Sequence, residues 1–144
     1  MTVILLARHG QSDWNRERRW QGHADRPLTD EGKRQAGALA DRLEDIPVDA
    51  IYSSDLRRAR ETAEVVAERR GLEIHERSEL REVDVGSWSG LTRDEAEERF
   101  PEDFARWLRG GPGWRDGESY EEMSRRVLKA IGTIVADHPD GRVL

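Results

Sequence analysis

Residues 2–11 read TVILLARHGQ, and this stretch decides the class of fold that the sequence predicts. The apolar run 2–7 has the length of a strand and shows no alternation, which is typical of a strand covered on both faces in an α/β sheet. The run ends in Arg8, His9 and Gly10. Ligands of open α/β sheets bind beyond the carboxyl ends of the strands. We therefore predict a buried first strand with a functional site directly after it.

The following residues alternate between helix and strand signals. A helix is predicted after Thr29, whose side chain is suited to cap its first turn, and a second strand over 48–54. A second helix follows over 54–71, where Gly71 stands at the usual position of a glycine that ends a helix, and a third strand over 72–76. This order predicts an α/β protein, a three-layer α/β/α sandwich with a largely parallel central sheet.

The second half of the chain carries two capping boxes and the start of another strand. Thr92 with Glu95, and Ser119 with Glu122, each predict the beginning of a helix. The later helix places apolar side chains on one face, namely Tyr120, Met123, Val127, Ile131 and Ile134. Residues 142–144 read as the first residues of a fourth strand, so the last strand of the predicted sheet is cut short.

Composition narrows the possible functions. A chain of 144 residues is the size of one domain, and its net charge of −6 argues against a general nucleic-acid binder. The absence of cysteine excludes disulfides, thiol catalysis and thiolate metal sites. The apolar run 2–7 is too short to span a bilayer. We expect a cytoplasmic, soluble domain with no nucleic-acid or membrane partner.

The first candidate site residues are those that follow the first strand. Arg8 offers a fork of donors matched to phosphate oxygens, and His9 could attack phosphorus through a neutral ring nitrogen. Gly10 would permit a sharp turn and a close backbone approach to a ligand. Only two of the 24 basic residues are lysine, so a single arginine carries little information. These residues alone fit a salt-bridged arginine beside a structural histidine equally well.

Two further candidates follow the second and third strands. Arg58 falls on the first turn of the second predicted helix, where backbone donors favour an anion. Glu82 stands among apolar and aromatic neighbours, which would raise its carboxyl pKa and suit it to protonate a leaving alcohol. The alternatives are an ordinary surface arginine and an ordinary surface glutamate.

Five segments in order resemble the histidine phosphatase superfamily, which contains the cofactor-dependent phosphoglycerate mutases and related phosphatases. They are RHGQSDWN, QGHADRPLTDEGKRQA, YSSDLRRARETA, LREVDVGSWSGL and GESYEEMSRRV. The resemblance covers nearly the whole chain and implies one histidine phosphatase domain over residues 1–144.

The resemblance also implies roles for single residues. His9 would become phosphohistidine, Arg8 and Arg58 would bind the phosphoryl oxygens, and Glu82 would donate the proton. Asn15, Gln21 and Gly22 match positions that line the phosphate pocket. Gly10 and Ser12 are weaker candidates, because a hydroxyl that stabilises a turn explains Ser12 equally well. No metal or other cofactor is implied, because the remaining histidines, at 23, 75 and 138, lack ligand spacing.

One element of the family pattern is missing from these residues. The family carries a second histidine in a Ser-His-Gly-like element after a late strand, whereas this sequence stops at Leu144. His138 precedes the strand, and His23 reads as a variable surface residue. Either the domain is incomplete at its C-terminus, which we favour, or it is a degenerate member. We expect the 144-residue chain to be less stable than a C-terminally extended version.

The residues after Glu82 bear on the reaction. Residues 86–119 form a compact stretch, which looks more like the phosphatase branch than the mutases. The expected function is hydrolysis of a small phosphorylated metabolite through phosphohistidine. The alternatives are a phosphoglycerate mutase and a non-catalytic phosphate-binding module. Trp88, Trp107 and Trp114 could line a substrate pocket, although the core is the simpler place for at least two of them. Family members are often monomers or homodimers.

Overall fold

A computed structural model describes residues 1–144 and contains four strands and six α-helices. The elements in chain order are β1 (Val3–Ile4), α1 (Asp13–Arg16), α2 (Asp30–Arg42), β2 (Ile51–Ser53), α3 (Arg57–Arg70), β3 (Ile74–Glu76), α4 (Arg93–Arg99), α5 (Pro101–Leu108), α6 (Tyr120–Asp137) and β4 (Arg142–Val143). Two short 3-10 helices, Ser78–Leu80 and Gly86–Trp88, lie between β3 and α4. None of the helices combines the length and the apolar character that crossing a lipid bilayer requires.

All strand pairs are parallel, and the last strand lies in the middle. β1 pairs with β4, with Ile4 beside Val143, and β2 pairs with β3, with Ile51 beside Ile74. A parallel bridge between Ala50 and Val143 joins the two pairs. The strand order is therefore β1–β4–β2–β3. The four strands, which helical segments connect in the chain, all run parallel in this order.

Alternation along the strands creates two apolar faces. Ile51 packs against buried residues of α2 and α3, whereas its neighbour Ala50 packs against Ile134 of α6. Because successive side chains of a strand point to opposite faces, α2 and α3 cover one face of the sheet and α6 covers the other. The predicted three-layer α/β/α class with a largely parallel sheet is confirmed.

The first strand is much shorter than predicted. Its ladder runs from the Val3 N–H, which bonds to the Gly141 carbonyl, to the Leu5 N–H, which bonds to the Val143 carbonyl. Leu6, which we expected to be buried, has 85% of its surface exposed. In this chain the run is therefore not covered on both faces along its whole length, because its hydrogen bonds to β4 reach only Leu5 and Leu6 lies beyond them.

The helix ends follow the sequence closely. Thr29 accepts a hydrogen bond from the Gly32 N–H at 3.1 Å and caps α2, and both predicted capping boxes are formed at α4 and α6. Gly71 ends α3 with φ of 63°, the left-handed conformation that glycine adopts without strain. These predictions are confirmed because capping depends on groups only a few residues apart. The short helix α1 and the two 3-10 helices were not predicted.

The segment after β3 forms an aromatic core of its own. Trp88 and Trp114 are buried there with Phe104, and Trp107 packs against them half-buried. The ring centroids of Trp88 and Trp114 lie 5.9 Å apart in an edge-to-face arrangement, which aromatic rings favour. The core alternative for the tryptophans is therefore the one found. This core holds the chain that carries Glu82.

Candidate active site

A cavity of about 530 Å³ extends between the sheet and α6 to the carboxyl ends of β1 and β2. Its walls are mostly apolar, and its polar lining includes six residues that the sequence singled out: Arg8, His9, Asn15, Gln21, Arg58 and Glu82. The structure thus brings together side chains from five segments that are separate in the chain. The polar end of the cavity lies where the carboxyl ends of the parallel strands meet at one edge of the sheet.

His9 is held as one defined tautomer. Its Nδ1 lies 2.6 Å from the Gly10 carbonyl oxygen, which can only accept, so Nδ1 carries the hydrogen. Its Nε2 lies 3.3 Å from the Arg58 Nε–H, which can only donate, so Nε2 carries a lone pair. Burial is the main cause that lowers the His9 pKa below its ordinary 6.5. A neutral imidazole with an available Nε2 is the form that can attack phosphorus.

Arg58 is buried rather than on the surface, with only 1% of its area exposed. It occupies the second position of α3, as predicted, and its Nη atoms donate to the Ala24 and Gly22 carbonyl oxygens at 2.8 and 2.9 Å. A third bond joins Nη2 to Glu82 Oε2 at 2.9 Å. These partners fix the guanidinium beside His9, and the alternative of an ordinary surface arginine is wrong.

The surroundings of Glu82 differ from the expectation. Its side chain is 48% exposed and ion-paired to Arg58, not enclosed by apolar neighbours. The apolar residue beside it, Val83, is buried in the aromatic core instead. Sequence proximity to apolar residues misled the prediction, because the side chain of Glu82 enters the cavity while that of Val83 enters the core.

Arg8 lies at the rim of the cavity and is exposed. Its guanidinium forms none of the salt bridges in this arginine-rich chain. The alternative of a salt-bridged structural arginine is therefore not found. An arginine without a protein counterion, next to a neutral histidine, is available to bind an anion.

Ser12, Asn15 and Gln21 form a hydrogen-bonded group at the side of the cavity. The Ser12 side chain is fully buried, caps α1 and contacts both Asn15 and Gln21. This is the turn-stabilising position that was the alternative for Ser12, and Ser12 itself does not line the cavity. Gly22, at φ of 50°, reaches the site through its carbonyl oxygen, which binds Arg58.

Gly10 makes its close approach to another part of the protein. A Cβ atom there would lie 2.4 Å from the Gly32 carbonyl oxygen of α2. The Gly10 N–H also donates to Thr62 Oγ1 at 3.0 Å. The absence of a side chain is thus required for packing the segment after β1 against α2, whereas the sequence suggested approach to a ligand.

The other histidines lie outside the cavity lining. His138 contacts the Tyr52 hydroxyl through Nε2 at 3.0 Å, and His75 is exposed. His23, which the sequence suggested to be a plain surface residue, contacts the Glu82 carbonyl oxygen through Nε2 at 2.9 Å. No sequence signal marks this contact, because the two residues are 59 positions apart.

A neutral histidine beside the buried Arg58, with the exposed Arg8 and Glu82 lining the same cavity, is an arrangement suited to bind a phosphoryl group. In agreement with this chemistry, residues 4–144 match the family model of the histidine phosphatase superfamily, branch 1. The chain belongs to that superfamily.

Some relatives of this chain are named as phosphatases and others as phosphoglycerate mutases, the two alternatives that the sequence suggested. The chain is 40% identical to phosphoserine phosphatase 1 of Hydrogenobacter thermophilus over 88% of this chain and 61% of the relative. It is 39% identical to a probable phosphoglycerate mutase GpmB of Klebsiella pneumoniae over 92% of this chain and 63% of the relative. The chain therefore spans less than two thirds of the length of these curated relatives.

The fold of this chain closely matches that of a solved protein structure. Bacillus stearothermophilus YhfR superimposes with a TM-score of 0.92 at 38% identity, covering 100% of this chain and 72% of that protein. The arrangement of strands and helices described above is thus the arrangement of a histidine phosphatase.

Proposed function

We propose that this protein hydrolyses small phosphate monoesters through a phosphohistidine formed on His9. The observation that carries the proposal is the geometry of the imidazole: Nδ1 is bonded to the Gly10 carbonyl, and Nε2 carries a lone pair that accepts a long hydrogen bond of 3.3 Å from Arg58 Nε. Arg8 and Arg58 would hold the phosphoryl oxygens. Their charge stabilises the negative charge that builds up in the transition state.

The reaction takes place in two steps, formation of the phosphohistidine and its hydrolysis. In the first, the His9 Nε2 lone pair forms a bond to phosphorus while the bond from phosphorus to the ester oxygen breaks. Glu82, in the protonated form that the second step regenerates, gives its proton to that leaving oxygen and becomes a carboxylate. In the second, water attacks phosphorus, Glu82 takes the water proton, and the P–N bond breaks to release phosphate and the free imidazole.

Relatives support hydrolysis of a small phosphorylated metabolite in this chain. The match to phosphoserine phosphatase 1 at 40% identity supports it, as does the compact stretch 86–119. The second candidate is a phosphoglycerate mutase, supported by the 39% identity to GpmB. A mutase would return the phosphoryl group from His9 to the bound product, whereas a phosphatase transfers it to water.

The test of the proposal is trapping of the phosphoenzyme. The protein is mixed with an aryl phosphate, quenched in base and digested, and the peptide with His9 is analysed for acid-labile phosphate by mass spectrometry. We expect phosphate on His9 and loss of essentially all hydrolysis in His9→Ala. His75→Ala, which removes an exposed histidine, serves as the matched control and should retain full activity.

Two other outcomes of these experiments would contradict the proposed hydrolysis. Absence of phosphohistidine, with phosphate binding that is equal in His9→Ala, would favour the non-catalytic binding module. Interconversion of 2- and 3-phosphoglycerate faster than their hydrolysis would favour the mutase.

A further inference from the structure

We infer that Arg126 of α6 is a positioning residue for Glu82, although it does not line the cavity. The inference rests on the proposed function, in which Glu82 donates and accepts the proton. Arg126 would act on the backbone that carries Glu82, and would set where its carboxyl group stands relative to the leaving oxygen.

Three of the contacts of Arg126 are to the chain that leads into Glu82. Its Nη1 donates to the carbonyl oxygens of Glu79 at 2.7 Å and Arg81 at 3.0 Å. Its Nη2 donates to the Glu82 carbonyl oxygen at 3.4 Å. One side chain thus holds three carbonyl groups within four consecutive residues, and this pattern fixes both the position and the direction of the segment 79–82.

The guanidinium itself is fixed by Glu118. Arg126 Nε and Nη2 donate to the two Glu118 carboxylate oxygens at 2.8 and 2.6 Å, so that all five N–H donors of Arg126 are used. Arg126 is also the main cause that lowers the Glu118 pKa, and the pair stays ionised at neutral pH. Both side chains are largely buried. A two-bond pair of this kind holds a guanidinium in one orientation.

Glu118 is in turn attached to the aromatic core. Its N–H donates to the Asp84 carbonyl at 2.8 Å, and its own carbonyl accepts from Trp114 Nε1 at 2.7 Å. The connection therefore runs from the buried Trp114 through Glu118 and Arg126 to the backbone of Glu82. The backbone carbonyl of Glu82 is thus bound by Arg126 and by His23, and its carboxylate is bound by Arg58.

The position of this carboxyl group matters for the chemistry of esters with poor leaving groups. Proton transfer requires the donor to lie within hydrogen-bond reach of the leaving oxygen, and a displacement of about 1 Å can cost about 100-fold in rate. The other restraints on Glu82 are the bond of its carboxylate to Arg58 and the contact of its carbonyl oxygen with His23, and neither of them binds the carbonyl groups of Glu79 and Arg81. Removing Arg126 would leave three carbonyl groups without this donor and allow the segment to shift.

The test compares Arg126→Met with Arg125→Met. Arg125 is the neighbouring residue on α6 and is exposed, and its only ion pair is with Glu121, so it provides a control of the same charge on the same helix. The kcat and KM values are measured with an alkyl phosphate and with an aryl phosphate whose leaving group needs no proton. We expect Arg126→Met to lower kcat for the alkyl ester about tenfold or more. For the aryl ester kcat should change less than about threefold, with KM little changed for both, whereas Arg125→Met should resemble the unmodified protein.

A double-mutant cycle shows whether the effect passes through Glu82. Glu82→Gln alone should lower kcat for the alkyl ester far more than for the aryl ester, because it removes the proton donor. Adding Arg126→Met to Glu82→Gln should then produce no further change in the ratio of the two kcat values, because coupled residues are not additive. Arg126→Lys retains the charge but lacks the forked set of donors. Its kcat for the alkyl ester should therefore lie between those of Arg126→Met and the unmodified protein. A parallel loss for both esters, or an additive loss in the double variant, would overturn the inference.

Hydrogen exchange separates this inference from the proposed function. Amide exchange in residues 79–84 should be faster in Arg126→Met than in Arg125→Met, with no change in the segment of α3 that carries Arg58. Unchanged exchange would overturn the positioning role even in an active enzyme. If the unmodified protein hydrolyses neither ester and forms no phosphohistidine, the proposed function fails, and with it the catalytic consequence of Arg126.

Discussion

At the scale of single residues, Arg58 shows how burial changes the meaning of a common residue type. In a chain with 24 basic residues, an arginine on a helix does not stand out in the sequence. In the structure its guanidinium is buried and bonded to two carbonyl oxygens, Glu82 and His9. Such a group is already oriented before a ligand binds, and under the proposed function this orientation would make its charge effective in the transition state.

Replacing Arg58 should therefore affect catalysis strongly. Arg58→Met is expected to cost about 2–4 kcal/mol of transition-state stabilisation, the scale of losing one preorganised donor, or about 30-fold to about 1,000-fold in kcat. Arg57→Met is the control, because Arg57 is the preceding residue of α3 and its exposed side chain pairs only with Glu61. Hydrolysis of an aryl phosphate provides the measurement. A loss below tenfold in Arg58→Met would show that Arg58 does not act on the phosphoryl group.

His9 gives a prediction for the dependence on pH. Burial places its folded-state pKa below the ordinary 6.5, so the unfolded chain binds more protons than the folded one between these two values. Stability contributed by neutral His9 is complete above pH 6.5 and is lost as pH falls through the folded pKa. The free energy of unfolding in urea should thus fall more from pH 7 to pH 5 in the unmodified protein than in His9→Gln. Equal losses in both proteins would contradict the lowered pKa.

The same shift applies to the reaction. Because the imidazole must be neutral to attack phosphorus, the rate of phosphoenzyme formation should stay high at pH values slightly below 6.5. Its acidic limb should have a midpoint below that of an unburied histidine.

At the scale of elements, the contact between the segment after β1 and α2 depends on two glycines, Gly10 and Gly32. A Cβ atom on Gly32 would lie 2.1 Å from the Gln11 carbonyl oxygen. Together with the approach of Gly10 to Gly32, this contact brings the chain of His9 directly onto α2. The sequence RHG is therefore partly a packing motif, and its glycine serves the fold as well as the site.

Alanine substitutions in α2 should separate packing from helix propensity. Gly32→Ala is expected to destabilise the protein by about 1–3 kcal/mol through overpacking. Gly37→Ala in the same helix has open space, since the nearest atom lies 4.0 Å from the position that the new Cβ would take. This second substitution should stabilise the protein by up to about 1 kcal/mol, because alanine favours a helix over glycine. Urea unfolding of both variants measures the difference. A stabilising Gly32→Ala would contradict the close contact.

At the scale of the whole molecule, β4 connects parts of the chain that are far apart in sequence. Val143 pairs with Ile4 on one side and bridges to Ala50 on the other. It is 2% exposed and packs with Ile134 of α6. The two pairs of strands are therefore joined into one sheet by this strand, and the Val143 side chain packs α6 against the sheet together with Ala50.

Shortening Val143 should for this reason cost more than shortening a valine at the edge. Val143→Ala is expected to lower the free energy of unfolding by about 2 kcal/mol, from lost burial and the remaining cavity. Val3→Ala, in the neighbouring strand β1, removes the same atoms from a side chain that is 36% exposed, and should cost less than about 1 kcal/mol. Equal losses would show that β4 contributes little to the joining of the sheet.

The sequence alone was enough to determine the α/β class, the helix ends at Thr29, Gly71, Thr92 and Ser119, and the position of His9 after a strand. These features depend on periodicity and on hydrogen bonds between groups a few residues apart, so the information is local. The expected length of β1 and the apolar setting of Glu82 were wrong, because both depend on which other segments lie alongside.

Only the tertiary structure decided the order β1–β4–β2–β3, the burial of Arg58 among carbonyl groups, and the connection from Trp114 through Glu118 and Arg126 to Glu82. These arrangements join residues tens of positions apart in the chain. A contact of that kind forms when packing of the sheet and the aromatic core brings the two segments together. The sequence of one segment does not indicate which other segment it will contact. The residue types of the candidate site were thus visible in the sequence, whereas their geometry came from long-range packing.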